Sequence, residues 1–290
     1  MDFIKDILKG VIIGIANAIP GVSGGTMMVS MGIYDDIIYC ITHLLTELKQ
    51  SVKKLLPYII GMVIGIVGLA YAITYLDEHF PFQTRMVFVG LILGGIPVIL
   101  KRIRGGREKE KSAGFSIPHA FIFLVFFALI LLIQYLGGQE MESVSIKIDV
   151  LSVVILFFVG VVASATMVIP GVSGSMMLMI MGYYYPILDS IKGFIQGLLH
   201  GEGGTVFHFT AILVPFGLGV VIGIFVIAKI IELLMKRFES MTYCAILGLV
   251  VASPAVILMG TALGGLSALT VITGLIAMVA GGAVAYFMGE

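Results

Sequence analysis

The hexapeptide Ile-Pro-Gly-Val-Ser-Gly stands twice in this chain, at 19–24 and at 169–174, and each copy interrupts a run apolar enough to lie in a bilayer. That combination restricts the fold more than any other feature. Hydrocarbon offers no water to a peptide group, so a helix broken there must bury the break in protein or line a polar cavity with it. Composition explains why hydrocarbon is the right solvent to consider. Of 290 residues, 59% are hydrophobic and 12% are charged, whereas a soluble domain is about a quarter charged. The apolar excess cannot all be core, because a soluble surface needs polar cover. The chain therefore reads as an all-α, polytopic transmembrane protein.

Apolar runs give the spans, with about 20 residues needed to cross the hydrocarbon. Full spans are expected at 56–76, 86–100, 118–136, 207–235, 243–259 and 266–288, the second being short enough that its ends should extend. Around the first hexapeptide the runs 10–19 and 26–34 are much shorter. At about 1.5 Å of rise per residue, each reaches about half the membrane. A re-entrant hairpin or broken helix pair, bent at the Pro-Gly loop, is the simplest object with such arms. The second copy, 150–169 and 176–188, has a longer first arm and the same bend.

Charges orient the set. Lys101, Arg102, Arg104, Arg107, Lys109 and Lys111 crowd one short loop, which the positive-inside rule places in the cytoplasm. Both termini follow it inside, and Glu140, Glu142 and Asp149 fall outside. The first residues, Met1-Asp2-Phe3-Ile4-Lys5, lack the order of a secretory signal, so insertion is expected to use the first retained apolar segment. Lys+Arg and Asp+Glu balance at 17 each, which gives no basic field for nucleic acid. Cys40 and Cys244 are too few for a disulfide framework or a metal site.

The repeat extends beyond the hexapeptide. At an offset of 150, Gly10, Met27, Met31, Gly32, Tyr34 and Ile37 recur as Gly160, Met177, Met181, Gly182, Tyr184 and Ile187. At 158, Pro57, Gly61, Gly65, Thr84 and Gly90-Leu91 recur as Pro215, Gly219, Gly223, Thr242 and Gly248-Leu249. Three full spans separate the two loops, so the halves must enter the membrane in opposite senses. Inverted-topology repeats with interrupted helices at matching places point to a transporter with its site near the midplane. The division is 1–104 for the first repeat, 105–147 for the basic loop and a linking helix, and 148–290 for the second.

Loop chemistry follows from residue type. Pro20 and Pro170 end the incoming arm. Gly21, Gly24 and Gly25, with Gly171 and Gly174, permit close approach of a ligand. Val22 and Val172 complete the turns, Ser23 and Ser173 add hydroxyls, and the following helix, starting near Thr26 or Met176, aims free amides back at the loop. Such nests suit phosphate or carboxylate. A cation site built from carbonyls and plain helix packing through small residues are the other readings. Asn17 and Thr26 could complete a site, or serve as packing polars. Asp35 and Asp36 read as solvated interfacial charges, with binding of a coupling ion as the alternative. Arg85 opens a span at the outer face, as an anion recruiter or a snorkelling anchor. The methionines after each loop are core filling first and a soft wall for an isoprenoid chain second. A phosphatase would need a nucleophile with a base or metal ligands. The five histidines lie away from both loops, so no catalytic residue and no metal ligand is assigned.

Gly10, Gly14, Asn17, Pro20 through Thr26, Gly32 and Tyr34, with the echo Pro170-Gly171-Val172-Ser173-Gly174-Ser175, resemble the polyprenyl-phosphate transporter family (PopT-like), formerly a family of polytopic bacterial and archaeal membrane proteins without assigned function. The resemblance spans nearly the whole chain. It implies a multi-pass protein of a prokaryotic cytoplasmic membrane that moves undecaprenyl phosphate, the carrier lipid of cell-wall precursors, from the outer leaflet to the inner. The implied phosphate ligands are the residues 20–26 and 170–175. Its partners would be that lipid and the surrounding membrane lipids, with the oligomeric state open. It implies no enzyme activity and no cofactor, and a coupling proton or sodium ion stays open. A transporter or channel for a small anion or ion is the alternative. The halves depart from symmetry where Gly25-Thr26 becomes Ser175-Met176 and Asp35-Asp36 becomes Tyr185-Pro186.

Overall fold

The computed structural model describes residues 3–18, 23–68, 75–76, 78–109, 116–137, 143–259, 261, 264 and 266–289. These form twelve α-helices, with no strand among the described residues. In order they are α1 (Phe3–Ala18), α2 (Gly24–Ser30), α3 (Tyr34–Thr42), α4 (Leu48–Val63), α5 (Pro81–Lys109), α6 (Ile117–Gly137), α7 (Val150–Val168), α8 (Gly174–Ile180), α9 (Tyr184–His200), α10 (Gly203–Arg237), α11 (Glu239–Met259) and α12 (Ala268–Gly289). A π turn, Ile64–Gly68, continues α4. Six helices, α5, α6, α7, α10, α11 and α12, are long and apolar enough to cross a membrane. Leucine, isoleucine, valine and phenylalanine side chains stand exposed along them, Phe121, Leu124, Leu132, Val221 and Ile276 among them, as a lipid solvent allows.

Several sequence expectations shift. The short run 86–100 sits inside the 29-residue α5, so Lys101, Arg102, Arg104, Arg107 and Lys109 belong to the last turns of a helix, not to a loop. Cations are favoured there by the carbonyl end of the helix. The run 56–76 is helical through Gly68, and 69–74 lie outside the described residues. The longer arm before the second hexapeptide is α7, 19 residues and of full spanning length. Asp149 caps it by accepting the Ser152 N–H at 2.7 Å, and this bond to the carboxylate holds its carboxyl below the usual range.

The chain divides into two compact units. One is Met1–Leu132, Pro170–Val172 and Ala228–Glu290, and the other is Ile133–Ile169 and Ser173–Ile227. In the first, α1 lies on α4 at backbone contact. A Cβ on Gly10 would fall 2.4 Å from the Tyr58 carbonyl oxygen, one on Gly61 2.1 Å from that of Ile7, and one on Gly65 2.4 Å from that of Val11. In the second, α7 meets α10 through equivalent residues. Gly160 would place a Cβ 2.2 Å from the Phe216 oxygen, Gly219 2.0 Å from that of Phe157, and Gly223 2.8 Å from that of Val161. Every contact in the second set is the first shifted by 150 on one helix and 158 on the other. Bare backbones that touch gain dispersion and lose no side-chain packing, which is why membrane helices use small residues here.

The rest of the first unit is built around α5. It holds α12 through Gly90, whose Cβ would overlap the Met278 oxygen at 1.9 Å, and α2 through Gly95, whose Cβ would fall 2.2 Å from Ser30 Cα. The equivalent of Gly90 is Gly248 on α11, and it takes α6 instead, 2.4 Å from the Phe123 oxygen. The two matching glycines therefore seat different partners, α12 on α5 and α6 on α11. Lys9, buried on α1, donates from Nζ to the Met31 oxygen at the end of α2, 3.1 Å away. In the second unit Leu156, Ile187 and Ile212 form a small core with Tyr183, Phe209 and Phe216 packed on it.

Candidate functional site

Both hexapeptides lead into a helix of the same length and start. α2 and α8 each run seven residues from the glycine that ends the motif, two residues earlier than the sequence implied. The reason is local. Ser23 (φ −106°, ψ 128°) and Ser173 (φ −100°, ψ 127°) are extended N-cap residues, and serine suits that position. Neither hydroxyl is used as a cap on its own helix. After each helix a glycine turns left-handed, Gly32 at φ 68° and Gly182 at φ 75°, the conformation that ends such helices cheaply. Two turns of helix carry only a small dipole, so any anion attraction here rests on the first few amides and hydroxyls.

The two loops are not equally placed. Pro20, Gly21 and Val22 lie outside the described residues, as does Ile19. Ser23, Gly24, Gly25 and Thr26 are buried, Thr26 completely. Asn17 accepts the Gly24 N–H on its Oδ1 at 3.3 Å, and a Cβ on Gly24 would strike that amide at 2.6 Å. In the second loop, Ile169 is extended (φ −71°, ψ 124°), as the residue before proline must be. Pro170 is fully buried and Val172 nearly so. Gly171 has φ 84°, and a Cβ there would also sit 2.8 Å from the Leu249 oxygen. Ser173 and Ser175 share a hydrogen bond at 2.8 Å on the exposed side, and Gly174 faces the flexible Met167 side chain.

One contact brings the motifs together. The Gly171 N–H donates to Thr26 Oγ1 at 2.8 Å. The tip of the second loop, 170–172, is thus part of the first unit, held by the hydroxyl that follows the first hexapeptide. It also explains the asymmetry noted in the sequence, because the position equivalent to Thr26 is Met176, which offers no hydroxyl.

The accessory residues lie elsewhere. Arg85 donates to Thr261 Oγ1 at 3.1 Å. Asp35 is not the solvated charge its sequence context implied. It accepts a short hydrogen bond from the Tyr243 hydroxyl and pairs with Arg102 Nη2 at 3.1 Å. Burial raises its carboxyl above the usual range, and the tyrosine and arginine oppose that rise. Asp36 fits the interfacial reading better, exposed and paired with Lys54 at 2.8 Å. Tyr243 and Thr261 carry no signal in the sequence, and Leu249 stands out there only as a repeat match. Tyr243 opens an apolar run and Thr261 follows the end of one, with no local feature to mark either. Among the described residues no group of acidic, histidine and cysteine side chains could hold a metal ion.

The sequence profile of the family described as VCA0040-like, undecaprenyl phosphate translocase-like, matches residues 13–265. A relative in Staphylococcus aureus (strain NCTC 8325 / PS 47), named polyprenyl-phosphate transporter, is 28% identical over 250 residues, covering 86% of this chain and 83% of its own. A second of the same name, in Vibrio cholerae serotype O1 (strain ATCC 39315 / El Tor Inaba N16961), is 26% identical over 267 residues, covering 87% and 77%. No solved structure matches the chain. The profile includes both hexapeptides and all the helices from α2 to α11, so this chain belongs to the undecaprenyl phosphate translocase-like family.

Proposed function

We propose that this chain is a transporter that carries polyprenyl phosphate, undecaprenyl phosphate first among them, across a prokaryotic cytoplasmic membrane, returning the carrier lipid for cell-envelope synthesis. The observation that carries the reading is the family match across residues 13–265, joined by two relatives named for that substrate. The chemistry of the loops supports it. A phosphate monoester carries about −1.5 to −2 charges and three acceptor oxygens, and leaving water costs it heavily unless donors replace the hydration. Taken separately, the first loop offers the hydroxyls and amides of Ser23, Gly24, Gly25 and Thr26 at the start of α2, and the second those of Ser173, Gly174 and Ser175 at the start of α8. Pro20, Gly21, Val22, Pro170, Gly171 and Val172 shape the turns that present them. No residue of 20–26 or 170–175 can act as acid, base or nucleophile pair, so the loops suit binding and release without bond cleavage.

In this reading the halves are inverted repeats, the hexapeptides re-enter the bilayer, and both termini are cytoplasmic. Alternating access exposes the loops first to one leaflet and then to the other. Should a proton drive the cycle, Asp35 is its candidate carrier, a titratable group held between Tyr243 and Arg102.

The test uses the purified chain in phosphatidylcholine vesicles with a dye-labelled polyprenyl phosphate and an impermeant quencher. Transport makes the inner-leaflet dye quenchable, at a rate that rises with protein. A rate equal to that of empty vesicles, from folded protein, would sink the proposal. Uptake of inorganic phosphate by the same vesicles, with no movement of lipid, would favour a small-anion carrier instead.

A further inference from the structure

Asp35 stands where two cavities of the first unit meet, and the two differ in kind. One, of about 530 Å³, lies between α3, the last turns of α10 and the start of α11, with Asp36, Tyr39, Glu232, Lys236 and Glu239 among its lining. A cavity this polar and roomy holds water, and the Asp35 side chain keeps 29% of its surface exposed, so water reaches it. The other is a void of about 10 Å³, room for at most about one water. Val29 and Gly32 bound it from α2 and the turn after it, and Val98 and Ile99 from α5. Asp35 and Tyr243 line both cavities, and Arg102 closes the void beside them. The same faces of α2 and α5 meet at Ser30 and Gly95. The Ser30 hydroxyl is fully buried in that seam and finds no hydrogen-bond partner among the described residues, a cost that opening to water would relieve.

We infer that Asp35 is a proton-binding latch, loaded from the large cavity, that holds the corner between α2 and α3 on α5 and α11 when ionised and releases it when neutral. Ionised, it accepts from the Tyr243 hydroxyl and pairs with Arg102 at 3.1 Å. A proton from the cavity water adds to one carboxylate oxygen, the ion pair is lost, and no other covalent bond changes. The Arg102 guanidinium is half exposed and takes up water in exchange. Burial lifts the Asp35 carboxyl above its usual range, so the proton binds at a higher pH than on an ordinary aspartate. The groups that face it are Tyr34 and Asp36 on α3, Arg102 on α5, and Tyr243 and Glu239 on α11, with Glu232 and Lys236 of α10 across the cavity. Asp36 is taken up by Lys54 of α4, and Glu232 by Lys229 and Lys236. Among the described residues, Asp35 alone of these carboxylates also lines the void beside α2. On the proposed orientation the large cavity faces the cytoplasm, so the latch reads cytoplasmic pH and sets how firmly the first loop's helix is held. Its link to lipid movement rests on the polyprenyl-phosphate reading above, and the latch itself does not.

The experiment is amide exchange across a pH series, read by mass spectrometry over residues 28–37 and corrected for intrinsic rate, on the full chain in phosphatidylcholine nanodiscs. Exchange at this corner should rise about ten- to hundredfold as pH falls, the range of one lost charge-assisted hydrogen bond, a readout that needs no variant. One infrared band of a protonated carboxyl should grow over the same pH range and be absent in Asp35→Asn, whose exchange should be fast throughout. Tyr243→Phe removes a donor that favours the charged form, so the midpoint should move up by about one to two pH units. Arg102→Gln should move it the same way by less, because that guanidinium is half exposed. A merely structural tie would change the rates and leave the midpoint in place. A flat exchange profile in the parent chain, or midpoints unmoved in both variants, would overturn the latch, and lipid movement in the vesicle assay would then leave the transport reading intact. A pH-dependent latch in a chain that moves no polyprenyl phosphate would overturn that reading instead.

Discussion

Replacing Thr26 by valine keeps the shape of the side chain and removes one atom that matters. Thr26 is fully buried, and its Oγ1 accepts the N–H of Gly171 at 2.8 Å. In Thr26→Val that amide keeps its burial and loses its acceptor, at a cost of about 1–3 kcal/mol. Gly171 is strained for any other residue, with φ 84°, so Gly171→Ala should cost about 1–3 kcal/mol by backbone alone. Its Cβ would also crowd the Leu249 oxygen at 2.8 Å. For chains of 150–250 residues, 1 kcal/mol moves Tm by about 2–4 °C, so each variant should melt several degrees early. The chain has no tryptophan, so melting is read by the monodisperse fraction surviving a heat step on size exclusion. Thr26→Ser keeps the acceptor and should recover most of the loss. Because the two residues share one contact, the double variant should fall short of the sum of the singles. Full stability in Thr26→Val, or strict additivity in the pair, would refute the idea that this hydroxyl holds the second loop.

Three further outcomes follow. Gly61→Ala and Gly219→Ala would each drive a methyl to about 2 Å from a carbonyl oxygen, so both should destabilise by about 1–3 kcal/mol. Comparable heat-step losses check the repeat, and a neutral result in either would deny close contact there. The Asp149 carboxyl is held below the usual range by its cap on α7. Its contribution is therefore present above the ordinary aspartate range and lost as pH falls through the depressed value. Amide exchange at Ser152, corrected for intrinsic rate, should speed up in acid, and Asp149→Asn should flatten that dependence. Single cysteines at Gly105 and Ser145, in a background lacking Cys40 and Cys244, should label from opposite sides of intact cells. Labelling from one side would overturn the inverted orientation.

Much of the architecture is legible in short stretches of chain. Apolar runs with no charge can only be satisfied in hydrocarbon by helices; four of the six expected spans fall within helices of spanning length, and a fifth, 266–288, overlaps one. The glycines at offsets 150 and 158 also mark real contacts, because a missing Cβ is a local property whose only use in a membrane helix is close approach. Helix starts were misplaced by two residues because the serine cap is a backbone conformation, not a composition. The basic cluster read as a loop because charge ends an apolar run, whereas helical hydrogen bonds continue through Lys109.

Sequence by itself determined the all-α membrane class, the duplication, and the two hexapeptides as the places where helices must break. These depend on hydropathy, on proline and glycine backbone limits, and on spacing, all of which are carried by neighbouring residues. Tertiary structure alone decided that Thr26 meets Gly171, that Tyr243 and Arg102 enclose Asp35, and that Arg85 donates to Thr261. It alone showed that α12 joins α5 while α6 joins α11. A threonine, a tyrosine or an arginine in an apolar run looks the same whatever it faces. Which partner it finds is set by helix pairings between residues more than a hundred positions apart, and no local pattern encodes them.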